Sequence, residues 1–175
     1  MANVSVYMIV FRLIHIVAGV AWGGSVFLLV LFVQQSAAAI APAGAPFMAE
    51  LLGKRRLIDR IIGLGTATVG GGLFLYWHDW QAYGSFNDWI DSAFGKVITI
   101  GTVTAIAALA IGVLGTRPAV MRFLAIGREA AVSGGPTPEQ AAEIGNLQAR
   151  MKVLARASLA LIGVTVIAMA TARYW

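Results

Sequence analysis

Four apolar runs dominate the chain: Val6–Val33, Ile61–Trp77, Val97–Leu114 and Val153–Ala172. Crossing the hydrocarbon of a bilayer takes about 20 apolar residues of helix. Within that layer the backbone must satisfy its own polar groups, so runs of this kind fold as helices. Composition agrees, since 12% of the residues are charged and 59% are hydrophobic, whereas a soluble domain carries about 25% charge. The sequence therefore predicts an all-α integral membrane protein, one four-span domain over residues 1–175. Neither an internal repeat nor a second domain is visible. The first run is expected to remain as a span, because it lacks a basic leader and exceeds the apolar stretch of a signal peptide.

Charge sets the expected orientation. Lys54, Arg55, Arg56 and Arg60 fall between runs one and two, and Arg117, Arg122, Arg128, Arg150 and Lys152 between runs three and four. Arg156 lies just inside run four, close enough to its end to snorkel. Only Arg12, Lys96 and Arg173 fall on the other side. The positive-inside rule then puts both termini outside and both basic loops in the cytoplasm. The location implied is the bacterial inner (cytoplasmic) membrane, multi-pass, with the lipid bilayer as principal partner. Net charge of +5 thus reads as topology, and no nucleic-acid partner is expected.

Several chemistries lack their residues. There are no cysteines, so thiol nucleophiles, thiolate metal sites and disulfides are excluded. The runs hold no paired carboxylates, and Gly95–Lys96 lacks the flanking residues of a phosphate loop. Whether the protein is an enzyme is left open by these absences.

Two connecting segments carry helix signals. In "WHDWQAYGSFNDWIDSAFGK", Ser85 and Asp88 form a capping pattern, and Phe86, Trp89, Ile90 and Phe94 make an apolar face. A short helix anchored in the membrane plane is expected there, within an interfacial belt that includes Trp77, Trp80 and Tyr83. In "SGGPTPEQAAEIGNLQARMKV", Thr137 is the expected N-cap, with Pro138 at N1 and Gln140 at N3. Helix four should therefore start well before the membrane and pack on a continuation of helix three from Pro118. The architecture expected is an antiparallel four-helix bundle with an extended cytoplasmic helical hairpin.

The stretch "HIVAGVAWGGS" raises the functional question. His15, Gly19, Trp22 and Gly23 share a stripe on helix one, and Gly63, Gly70, Gly71, Phe74 and His78 are assigned to one stripe on helix two. Each histidine then heads a glycine groove at the outer end of its helix. Such a groove accepts either a neighbouring helix or a flat cofactor with imidazole as axial ligand. Met169 falls near the same level, and Arg12 stands one turn from His15, where it would pair a propionate or snorkel.

The segment "FRLIHIVAGVAWGGSVFLLVLFV" resembles the first membrane helix of a loose bacterial group. It comprises the copper-resistance D-type membrane proteins, the HemJ-type protoporphyrinogen oxidases and the membrane domain of PuuD-type urate oxidases. The shared feature is His with Trp seven residues later and Gly close behind, matched by His15, Trp22, Gly23 and Gly24. The ending "MATARYW" is similar to the close of uncharacterised four-helix relatives of that group. HemJ-type proteins follow the motif with a charged residue and a Tyr–His pair, where this chain reads "VLFVQQ". The resemblance implies heme b or copper, and a ligand role for His15 alone.

Three expectations result. The first is a heme-b-binding membrane redox or electron-transfer protein, with His15 and then His78 or Met169 as iron ligands. Gly19, Gly23, Gly70 and Gly71 would make room for the porphyrin, and Arg12 would meet a propionate. The second is a non-catalytic accessory subunit of a larger respiratory or photosynthetic membrane complex, or a homo-oligomer. The third is copper handling through His and Met on the outer side.

Overall fold

A computed structural model describes residues 6–175, and all regular structure among them is helical. The amino terminus, expected outside, lies beyond the described residues. In chain order the helices are α1 (Val6–Ala39), α2 (Gly44–Ala49), α3 (Leu57–Gln81), α4 (Phe86–Asp91), α5 (Ala93–Ser133) and α6 (Pro138–Thr171). α1, α3, α5 and α6 are long and apolar enough to cross a membrane.

Each of the four overruns its apolar run. α1 reaches Ala39, six residues past Val33, and α5 continues to Ser133. Hydropathy marks only the apolar slab, whereas the hydrogen-bond ladder runs on wherever no breaker or cap stops it. The stops are visible. Ser92 caps α5 by accepting from Gly95 N at 2.9 Å, and Ser85 caps α4 by accepting from Asp88 N at 3.1 Å. At the end of α5, Gly134 takes φ 82°, which a side chain disfavours. Gly135 N then donates to Ala130 O at 2.9 Å, closing the helix end.

The expected hairpin beyond the apolar slab is formed by α5 and α6. Thr137 and Gln140 exchange hydrogen bonds at 3.1 and 3.2 Å in a full capping box. Arg122 donates twice to Glu143, at 2.7 and 2.8 Å, across the two helices. This fork geometry fixes direction as well as distance.

Two features were not expected. α1 and α5 each contain a wider π turn, Leu29–Val33 and Ile111–Thr116, and a third, Glu50–Lys54, follows α2. The second concerns Trp89, read as part of the interfacial belt. It is fully buried, enclosed by Tyr76, Tyr83 and Phe94, whose ring centroids lie 5.0–5.5 Å away. The caps at Ser85 and Ser92 fold α4 back, so Trp89 fills the gap between α3 and α5 and does not face lipid. Trp77, half exposed, retains the belt position.

The tightest pairings are α1 with α3 and α5 with α6. The buried core, including Trp22, Leu29, Ile61, Ala108 and Ile162, lies from the middle of the spans towards the basic loops.

Candidate functional site

The seam between α1 and α3 holds most of the residues singled out by sequence. Tyr7 meets Phe74 and His78, Phe11 stacks on Phe74 at 3.9 Å, His15 lies on Gly71 and Gly72, and Trp22 lies on Gly65. Numbers rise on one helix as they fall on the other.

This register separates the histidines. His15 is level with Gly71 and Gly72, six or seven residues from His78, or about 10 Å along the axis. The Phe11–Phe74 stack occupies the level between them. Two imidazoles sharing one iron need nitrogens about 4 Å apart, given metal–nitrogen bonds of about 2 Å. His15 and His78 do not fit that requirement within one chain. The sequence reading matched distance from the helix ends, but α3 continues to Gln81 and carries His78 to the level of Tyr7.

His15 is engaged in holding the seam. Its Nδ1–H donates to the Thr68 carbonyl at 2.7 Å, leaving Nε2 as the lone-pair nitrogen of the neutral ring. The ring lies so close over Gly72 that a Cβ there would sit 2.7 Å from Cε1. His78 Nδ1 has no hydrogen-bond partner among the described residues, and Asp79 Oδ1 at 3.7 Å is beyond hydrogen-bond reach.

The glycine groove is filled by protein. A Cβ on Gly19 would stand 3.3 Å from Thr68 Cγ2, one on Gly65 2.8 Å from Trp22, and one on Gly23 3.5 Å from Ile162. Gly71 faces His15, whereas a Cβ on Gly63 or Gly70 would meet nothing within 4 Å. The single stripe read on helix two is therefore two faces. Neighbouring residues turn about 100° around a helix, so Gly70 and Gly71 point in different directions. Met169 lies against Gly101 of α5, and Arg12 is exposed. His15 and His78 are not brought to one point, and no three His, Cys, Asp or Glu side chains cluster among the described residues.

A second region was not singled out in the sequence. Beyond Trp22, towards the basic loops, a cavity of about 90 Å³ opens between α1, α3, α5 and α6, with Leu29, Ile61 and Ile162 in its walls. Its one sequence signal is Gln34, an amide closing an otherwise apolar run.

No family model, curated protein or solved structure matches the chain.

Proposed function

We propose that the protein is a non-catalytic accessory subunit of the bacterial cytoplasmic membrane, working by association with other membrane helices. Its four spans form an antiparallel bundle with both termini outside and the hairpin in the cytoplasm. One observation carries this reading. On α3 the inward glycines are consumed by α1, yet a second row of small residues, Gly63, Thr66, Ala67 and Gly70, is exposed. Gly63–Ala67 and Thr66–Gly70 are four apart, the spacing that lets helix backbones approach closely in lipid. Thr66 is already satisfied by Ile62 O at 2.9 Å, so the row is smooth and without an unmet polar demand.

The test is the mass of the protein in lipid nanodiscs, prepared directly from the native membrane. The wild-type chain is expected in an assembly larger than one copy, and Gly63→Leu with Gly70→Leu should release it as a monomer. A wild-type monomer, or an assembly indifferent to both leucines, overturns the reading.

The hydrogen bond from His15 to Thr68 O supports a second reading, because metal-ligating histidines are commonly oriented by a carbonyl on the other nitrogen. On that reading Nε2 of His15 is this chain's one ligand to heme b or copper, and another chain supplies the rest. A reduced-minus-oxidised spectrum of the native assembly that is unchanged in His15→Ala eliminates it.

A further inference from the structure

The cavity beyond Trp22 is where the helices depart from regularity. All three π turns contribute to its wall: Leu29 from the first, Leu52 from the second, and Gly112 and Thr116 from the third. A π turn widens the helix locally and is frequent at functional sites. Three of them converging on one space, from separate parts of the chain, link that space to the irregularity.

The wall has a definite chemistry. Gln34, Thr116 and Ser158 line it, and all three are partly buried. None of the three side chains is hydrogen-bonded to a described residue, whereas Thr66, Thr68, Thr99, Thr104, Thr165 and Thr171 each bond the carbonyl four residues back. Hydroxyls in apolar helices normally satisfy themselves in that way. The rest of the lining is mostly apolar, and no charged side chain lines the cavity. Apolar walls with a few convergent polar groups are the composition of a ligand site.

From this we infer that the cavity binds a neutral amphipath, a narrow hydrocarbon chain bearing one hydroxyl or carbonyl. A charged head would be desolvated without a counter-ion and is excluded. The volume of about 90 Å³ is below the roughly 150 Å³ of a cavity that holds benzene, so only the head and the first carbons of the chain are enclosed, and the rest of the chain extends out of the cavity between the helices. The amide of Gln34 and the hydroxyls of Thr116 and Ser158 supply both donors and acceptors to the head.

The test uses the full chain in phospholipid nanodiscs, photolabelled with a diazirine-bearing hexanol and mapped by peptide mass. Adducts are expected on Leu29, Ile61, Met151 and Ile162, reduced by excess hexanol but not by hexane. Gly112→Leu should abolish them, since a Cβ there makes only ordinary contact, 3.7 Å from Ile62, and the longer side chain enters the cavity. Gln34→Leu, which leaves the volume nearly unchanged, should weaken competition by hexanol about tenfold, the loss of one buried hydrogen bond. Adducts confined to lipid-facing residues such as Leu114, or labelling indifferent to Gly112→Leu, overturn the site. Equal competition by hexane overturns the polar head. The association variants at Gly63 and Gly70 should leave labelling unchanged, so this inference and the accessory-subunit reading fail separately.

Discussion

The same two helices, α1 and α3, behave differently on either side of Trp22. On the terminal side they are drawn together by glycine, with the His15 ring against Gly72, Thr68 against Gly19 and Trp22 against Gly65. On the basic-loop side, π turns and larger side chains hold the helices apart around a cavity. In the terminal half, His15 ties α1 to α3 through Thr68 O. The basic-loop half holds three partly buried polar side chains, Gln34, Thr116 and Ser158, that line the cavity without a hydrogen bond to a described residue.

Mutations can break this comparison, and Trp89→Ala should have the largest effect. It removes a fully buried aromatic from the closely packed end, at a cost of about 3–5 kcal/mol, measurable by reversible unfolding in mixed micelles. A cost under about 1 kcal/mol would mean that the α3–α5 gap is not held by this ring.

Gly72→Ala comes next. Its Cβ would stand 2.7 Å from the His15 ring, so the ring must move and give up Thr68 O, costing about 1–3 kcal/mol. Rescue by His15→Ala in the same chain would identify the clash as the cause.

Thr137→Ala removes one half of the capping box and should cost about 1 kcal/mol, with faster hydrogen exchange confined to the start of α6. Protection unchanged over 138–143 would show that the cap adds nothing to the Arg122–Glu143 pair.

The smallest effect sharpens the contrast by changing sign. Gly112→Ala places its methyl 3.7 Å from Ile62, beside open space, and should stabilise by about 0.5 kcal/mol. Destabilisation by as much as Gly72→Ala would erase the distinction between the halves.

How much was legible in the sequence follows from which interactions are local. The spans and the Ser85 and Thr137 caps depend on residues close together in the chain, so they are legible in the sequence. Span limits were read short because hydropathy records the solvent a residue prefers, and the helix ladder is indifferent to it. The face of Gly70 was misjudged by one residue of rotation. The separation of His15 from His78 depends on how α1 slides along α3, which neither helix encodes alone. The π turns were illegible because a change from four- to five-residue hydrogen bonding leaves hydropathy unchanged, and the cavity needs all four helices to exist.

α6 is one unbroken helix of 34 residues. Ser158, in the cavity wall, is separated from Pro138, at the hairpin tip, by 20 residues, about 30 Å of rigid rod. A tilt of about 5° at Ser158 therefore displaces the tip by roughly 3 Å, about the length of a hydrogen bond. Because Arg122 of α5 donates twice to Glu143, such a tilt would carry the α5 arm with it. Such a tilt would make the helix a lever, with its short arm in the apolar core and its long arm in the hairpin.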